Sequence, residues 1–141
     1  MRSISFVPGD VLIASLPERY PQGHEQEGKR PVVVVGLPER LGVQRFPIIS
    51  IIPFTDLIDG KTHTIKTWVS AAPDLYPVFS KGTAGLRKDC VALLDQLQAI
   101  DCTRVQSYCG RLTPVEYEPI LKGIQIIYGV CVTHPVTILP Q

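Results

Sequence analysis

The chain has 141 residues, of which 45% are hydrophobic and 19% are charged, and its formal net charge is +1. This size and hydrophobic content predict one globular domain over residues 1–141 and exclude a disordered chain. The balanced charge excludes a basic field over the whole protein. A nucleic-acid partner would therefore have to meet a local positive patch, or a surface that two subunits build together.

The cysteine pattern disfavours a metal site. Cys90, Cys102, Cys109 and Cys131 form no CxxC pair, and no histidine follows them at zinc-finger spacing. We expect reduced, mostly buried cysteines and neither a metal nor another cofactor. The N-terminus lacks an apolar signal core, and no apolar stretch is long enough to span a bilayer. These features predict a soluble, cytoplasmic protein with no membrane partner.

Two strands and a long loop are predicted in the first third of the chain. Val11–Ser15 is a short apolar strand. Leu16–Lys29 is a loop with two prolines and two glycines, and loops of this length are typically lids or binding loops. Pro31–Val35 contains four consecutive valines and ends at Gly36, which predicts a strand covered on both faces.

The junction between this loop and the valine-rich strand is where we place the function. His24 and Glu25 form a titratable pair on the loop, and Lys29 and Arg30 form a cationic pair next to the strand. Pro31 has no backbone donor and favours an extended residue before it, so both cations are expected just before regular pairing begins. The two pairs are therefore expected to approach one point.

Two further strands are predicted in the middle of the chain. Pro47–Phe54 is rich in isoleucine and ends at Thr55. Thr62–Val69 alternates polar and apolar residues, which predicts a fourth strand after the turn signal Asp59-Gly60. The segments 37–46 and 70–89 are predicted as irregular connections, the first with a helical turn.

The last third is predicted to end in a helix. Cys90–Leu94 is a buried strand, a second apolar segment covers Leu97–Asp101, and the segment 102–112 leads into the helix. Thr113 is the N-cap, with proline and glutamate at the first and third helical positions, which is the capping-box pattern. Its apolar face is predicted to carry Tyr117, Ile120, Leu121, Ile124, Ile127 and Tyr128, and Gly129 ends it. Residues 130–141 are expected to form an edge strand or a subunit contact.

Several short strands followed by one amphipathic helix predict a mainly β fold. The expected architecture is a small, strongly bent antiparallel barrel with the helix packed against it. The sequence contains no Gly-rich phosphate loop, GxSxG elbow or HExxH helix. This disfavours the commoner hydrolase and nucleotide-binding classes.

Four motifs follow one another along the chain: Gly9-Asp10-Val11, Gly23-His24-Glu25-Gln26-Glu27-Gly28-Lys29-Arg30-Pro31, Pro53-Phe54-Thr55 and Val91-Ala92-Leu93-Leu94-Asp95-Gln96. In this order they resemble the MazF/PemK family of toxin endoribonucleases. The capped helix through Gly129 also fits, so the resemblance spans about Val7 to Gly129.

The resemblance implies an SH3-like barrel that forms a homodimer and cuts single-stranded RNA at short sequences without a metal. The products would be a 2′,3′-cyclic phosphate and a free 5′-hydroxyl. A cognate antitoxin would neutralise the toxin through a tail that occupies the Leu16–Lys29 region and the RNA groove, in a complex that binds DNA. Glu25 and Arg30 match the family's catalytic carboxylate and arginine, and His24 matches a position that is histidine in the PemK-like branch.

Such chemistry needs a base for the 2′-hydroxyl, an acid for the leaving 5′-oxygen and positive charge at the phosphate. Glu25 or His24 is the better base, because either can titrate near neutrality when partly desolvated. Arg30 stays charged, so its planar fork is expected to bind the phosphate, where Thr55 would also donate a hydrogen bond. Arg30 is also expected to help the leaving group depart.

Three residues are predicted to contact substrate without taking part in the proton transfers. Asp95 and Gln96 are expected to read or orient bases, because carboxylate and amide groups suit unpaired Watson–Crick edges. Lys29 is expected to add positive charge beside Arg30. Trp68 is predicted to lie in the core or an interface.

Two residues depart from the family pattern and keep alternatives open. Leu93 stands where some PemK-like members carry arginine, and Asp56 would place negative charge close to the expected phosphate. A non-catalytic small barrel that binds RNA or peptide is one alternative. The other is a CcdB-like toxin that binds a protein target such as gyrase, although the presence of Glu25 and Arg30 favours the nuclease over it.

Overall fold

The computed structural model describes residues 5–130 of the chain. Within this range the chain forms seven strands and two α-helices, joined partly by short 3-10 turns. The elements are β1 (Asp10–Leu16), β2 (Gly28–Gly36), β3 (Ile48–Asp56), α1 (Thr67–Ala71), β4 (Val78–Phe79), β5 (Cys90–Ala92), β6 (Gln98–Asp101), β7 (Val105–Arg111) and α2 (Pro114–Ile127). Neither helix combines the length and the hydrophobicity that a membrane crossing would need.

The strands form one strongly curled antiparallel sheet in the order β4-β5-β3-β2-β1-β7. The strand β3 is its branch point, because one edge pairs with β2 while the other pairs first with β6 and then with β5. With the C-terminal helix, this half-barrel confirms the predicted mainly β fold.

The valine run of β2 is covered on both faces, as predicted. Val33 packs with residues of β1 and β3 and with Ile120 of α2 in one cluster. Val32 and Val34 pack in a second cluster on the other face, with Leu12 and Ile51. Alternating side chains of one strand thus enter two separate cores.

The helix α2 begins at the predicted capping box. The Thr113 hydroxyl oxygen accepts a hydrogen bond from the Glu116 N–H at 3.1 Å, and the Glu116 carboxylate accepts one from the Thr113 N–H at 2.9 Å. Ile120 is fully buried, and Gly123 lets the helix approach the Leu94 side chain, into which a Cβ atom would clash. Because Leu94 begins the turn that carries Asp95 and Gln96, this packing helps to position the candidate site.

Only part of the predicted apolar face of α2 is buried. Tyr117 and Ile124 pack against the core beside Ile120. Leu121, Ile127 and Tyr128 are 44%, 42% and 53% exposed. The prediction for residues 130–141 falls almost wholly on residues 131–141, which lie outside the described residues.

The predicted strand Thr62–Val69 is wrong. Only Ile65 makes a β-bridge there, to Ile58, and α1 begins at Thr67. The Asp59 carboxylate accepts hydrogen bonds from the N–H groups of Lys61 and Thr62, and its carbonyl oxygen accepts one from His63. These local hydrogen bonds take the place of strand pairing. Short polar side chains in turns commonly compete with strands in this way.

Other expectations differ from the structure in extent. The segment predicted to lead into the helix contains β7, which pairs with β1, and the strand predicted over Cys90–Leu94 ends at Ala92. Cys90 is buried and Cys102 and Cys109 are half-buried, so the prediction of mostly buried cysteines holds only in part for these three. Cys131 lies outside the described residues.

Candidate active site

The side chain of Gln96 holds the loop between β1 and β2 through two hydrogen bonds. Its carbonyl oxygen accepts a hydrogen bond from the Gln26 N–H at 2.8 Å, and its amide nitrogen donates one to the His24 carbonyl oxygen at 3.2 Å. Gln98 extends the connection, since it donates to the Gln96 carbonyl oxygen and accepts from the Arg19 guanidinium at 2.9 Å. Both ends of the Gln96 side-chain amide are therefore engaged with the loop.

The predicted general bases, His24 and Glu25, lie on this loop. His24 and Glu25 are both exposed, so the partial desolvation expected for them is not present in the single chain. The Glu25 carboxylate turns back over Gly23, where a Cβ atom would lie 2.5 Å from Oε2. The loop thus presents both side chains to solvent.

Arg30 lies inside β2, where it pairs with Ala14 of β1. The prediction that pairing begins after Arg30 is therefore wrong for this edge of the strand, although pairing with β3 does begin only at Val32. Arg30 Nε donates a hydrogen bond to the Glu27 carbonyl oxygen at 2.8 Å. This bond orients the guanidinium and leaves its two terminal nitrogens for a ligand.

Arg30 and Thr55 belong to the same face of the sheet. Val32 lies opposite Pro53 in the β2–β3 ladder. Arg30 lies two positions before Val32 and Thr55 lies two positions after Pro53, and side chains two positions apart share a face. Both candidate phosphate-binding residues therefore belong to the same side of the sheet, beyond the last pair of the β2–β3 ladder.

A cavity of about 400 Å³ opens on this side of the sheet. It brings together four of the predicted site residues, His24, Thr55, Asp95 and Gln96. The remaining lining residues are Gln26, Lys66, Trp68, Tyr76 and Leu93. Glu25 and Arg30 do not line it.

Asp95 is held at the cavity by Tyr76. The Tyr76 hydroxyl donates a 2.7 Å hydrogen bond to Asp95 Oδ2, and this bond, together with burial, raises the pKa of Tyr76 to about 12. The Tyr76 ring meets Trp68 edge to face, with centroids 4.7 Å apart. Tyr76 and Lys66 were not predicted as site residues, because no local pattern links them to Asp95. Trp68, predicted to lie in the core or an interface, is 38% exposed at the cavity.

Lys29 and Asp56 are separated from this cavity by the sheet. Lys29 alternates with Arg30 and lines a second cavity of about 600 Å³, together with Asp56, Arg87 and Lys88. Asp56 pairs there with Lys88 at 3.6 Å. The expectation that Lys29 and Arg30 approach one point is wrong, because neighbouring residues of a strand face opposite sides. Asp56 likewise lies on the opposite side of the strand from its neighbour Thr55, and its carboxylate lines the second cavity.

The described residues suit acid–base chemistry on an anion. The first cavity is lined by carboxylate, imidazole and hydroxyl groups, and Arg30 belongs to the same side of the sheet without lining the cavity. Within residues 5–130, no three side chains of the His, Cys, Asp and Glu type cluster closely enough to hold a metal ion.

Solved structures share the fold at low sequence identity. MazF from Deinococcus radiodurans superposes with a TM-score of 0.62 at 18% identity, covering 89% of this chain and 99% of that one. The MazE–MazF structure from the same organism superposes with a TM-score of 0.56 at 19% identity, covering 89% of this chain and 98% of that one. A mycobacterial endoribonuclease in complex with its cognate antitoxin superposes with a TM-score of 0.59 at 14% identity, covering 93% of this chain and 100% of that one.

The sequence comparisons identify the family. No curated protein matches the chain. The model of the family described as "PemK-like, MazF-like toxin of type II toxin-antitoxin system" matches residues 7–128, which is most of the chain and contains every candidate site residue. The chain therefore belongs to the PemK-like, MazF-like toxins of type II toxin–antitoxin systems.

Proposed function

We propose that this protein is a toxin endoribonuclease that cleaves single-stranded RNA at short specific sequences without a metal. Membership of a toxin family supports the proposal, as does the name endoribonuclease carried by a protein of the same fold. The observation that carries it is the cavity that gathers His24, Thr55 and Asp95, on the side of the sheet to which Arg30 also belongs.

The reaction is an internal transesterification of RNA. A base removes the proton of the 2′-hydroxyl, and the 2′-oxygen attacks the adjacent phosphorus. The bond from phosphorus to the 5′-oxygen breaks, and an acid protonates that oxygen. The products are a 2′,3′-cyclic phosphate and a free 5′-hydroxyl, so no water enters the step.

Each proposed role follows from a position in the structure. Arg30 binds the phosphate through its terminal nitrogens, because Glu27 engages only Nε. Thr55 donates to a non-bridging oxygen from the same face. His24 and Glu25 supply the base and the acid from the loop, where bound RNA would remove them from water.

The remaining predicted residues contact or position the RNA. Gln96 holds the loop that carries His24, and Asp95 reads a base. Lys29 contacts the RNA backbone from the second face, where Arg87 and Lys88 add positive charge. Leu93 fills the wall of the first cavity with an apolar side chain, so the cations there come from other positions.

The partners follow from the family and from exposed surfaces. A cognate antitoxin covers the loop between β1 and β2, whose Tyr20 is fully exposed, and neutralises the toxin in the cytoplasm. The exposed apolar residues Leu121, Ile127 and Tyr128 of α2 suit burial in a homodimer.

The test is incubation of the purified protein with a long single-stranded RNA in excess EDTA. We expect cleavage that leaves cyclic phosphate ends and that stops when the nucleotide before the cut carries a 2′-deoxy sugar. Intact RNA from a folded dimeric protein would overturn the nuclease proposal in favour of a non-catalytic RNA-binding or peptide-binding barrel. Loss of cleavage in EDTA that Mg²⁺ restores would overturn the metal-independent step.

A further inference from the structure

We propose that Lys66, Trp68 and Tyr76 form, with Asp95, a nucleotide subsite that selects a base carrying an exocyclic amino group. The inference rests on the proposed function, because it names the RNA unit that the same cavity takes. It adds three residues that no sequence motif indicated. Adenine, cytosine and guanine meet the requirement, and uracil does not.

The aromatic wall of the cavity is the first observation. Trp68 is 38% exposed, although it is the largest apolar side chain of the chain, and its ring meets Tyr76 edge to face. The next residue, Val69, is buried with Leu57 and Val91 and anchors the short helix α1. The buried Val69 therefore holds the exposed Trp68 ring at the cavity, with the half-buried Tyr76 ring beside it. Aromatic side chains placed in this way bind bases in single-stranded nucleic-acid sites.

The second observation is an available cation. Lys66 is the single lysine or arginine among the nine residues that line the cavity. Its ammonium lies 5.9 Å from the centroid of the Trp68 ring and makes no ion pair within 4 Å among the described residues. A phosphate next to a base held against the aromatic wall would meet this charge.

The third observation is the fixed orientation of Asp95. Tyr76 donates to Oδ2, and no described residue donates to Oδ1. That oxygen is left to accept a hydrogen bond from an amino group on the edge of a base. Uracil has two carbonyl oxygens that flank its single N–H, and these oxygens would face the carboxylate. The subsite therefore discriminates against uracil.

Trp68 gives the experiment its signal, because it is the only tryptophan of the chain. Its fluorescence is followed while CMP or UMP is added to the full-length protein, with correction for nucleotide absorption. We expect saturable quenching by CMP and binding of UMP that is weaker by about tenfold, the effect of one hydrogen-bond difference. Equal binding of the two nucleotides, or no saturable signal, would overturn the proposal.

Three variants separate the roles. Lys66→Met should weaken the binding of both nucleotides by roughly tenfold, since it removes one phosphate contact. The matched control Lys61→Met, at an exposed turn lysine, should bind as the wild type does. Tyr76→Phe should leave Asp95 free to turn and reduce the preference for CMP, and Asp95→Asn, whose amide can donate to a carbonyl, should shift it towards UMP.

The result also separates this inference from the nuclease proposal. Selective CMP binding by a protein that leaves RNA intact would keep the subsite and overturn the nuclease. RNA cleavage with unchanged nucleotide binding in Lys66→Met and an unchanged preference in Asp95→Asn would keep the nuclease and overturn the subsite.

Discussion

The side-chain carbonyl oxygen of Gln96 accepts a hydrogen bond from the backbone N–H of Gln26, 70 positions earlier in the chain. Through this bond and the one to His24, the turn after β5 positions the loop that presents the candidate bases. Gln96 is therefore a positioning residue.

We predict that Gln96→Ala slows RNA cleavage by about ten- to a hundredfold, because a small displacement of the catalytic groups is costly to the rate. Hydrogen exchange should show faster opening of residues 17–27 in the same variant. The matched control is Gln44→Ala, which removes a comparable bond to the Ile48 carbonyl oxygen away from the site. An unprotected loop in the wild type, or equal effects of both variants, would contradict the assignment.

Asp10 is predicted to be a stability residue. It is 1% exposed, and its carboxylate accepts hydrogen bonds from the Val7 N–H at 2.8 Å and from Arg111 Nε at 2.7 Å. Asp10→Ala should lower the free energy of unfolding by roughly 3 kcal/mol, because it leaves these donors without their charged acceptor. Denaturant unfolding of the variant and the wild type at the same protein concentration measures this loss of free energy. The exposed Asp74→Ala should change the free energy by less than about 0.5 kcal/mol, and a similar loss in both variants would refute the role.

The docking of α2 depends on Ile120, which is fully buried in the core. Ile120→Ala should lower the free energy of unfolding by about 3 kcal/mol, through lost burial and the cavity left behind. Val115→Ala, on an exposed position of the same helix, should cost less than about 1 kcal/mol. Equal midpoints of the two variants in thermal or denaturant unfolding would show that α2 does not pack as described.

The hydrogen bond between Tyr76 and Asp95 predicts a pH dependence. It raises the pKa of Tyr76 from 10.0 to about 12, so the neutral phenol is favoured in the folded protein. The bond therefore contributes stability that is fully present below pH 10 and is lost as the pH rises towards 12. Ultraviolet titration of tyrosinate should show that Tyr76→Phe removes a group with a pKa near 12. If Tyr76→Phe instead removed a group with the ordinary tyrosine pKa, the titration would contradict the hydrogen bond to Asp95.

Elements specified by neighbouring residues were predicted well from the sequence. The capping box starts α2 at Pro114, and the stiff valines of β2 form a strand buried on both faces. Thr62–Val69 was predicted wrongly because the alternating pattern there competes with the hydrogen bonds of Asp59. The strand β7 was missed because its stability comes from pairing with β1, almost a hundred positions away.

The candidate site was predicted in its motifs but not in its geometry. His24, Thr55, Asp95 and Gln96 do meet at one cavity. Lys29 and Arg30 were expected to lie together because they are adjacent in sequence, but adjacent side chains of a strand lie on opposite faces. Tyr76 reaches Asp95 only through tertiary packing, so no spacing along the chain could indicate it.

The most direct test of the central claim is RNA cleavage in excess EDTA by Arg30→Ala, compared with Arg40→Ala. Arg40 is an exposed arginine in the 3-10 turn that follows the opposite end of β2. The account predicts that Arg30→Ala loses at least about a hundredfold in rate, as expected when a residue that stabilises the transition-state charge is removed, while Arg40→Ala cleaves as the wild type does. Equal cleavage by the two folded variants would show that the chemistry does not take place at this site.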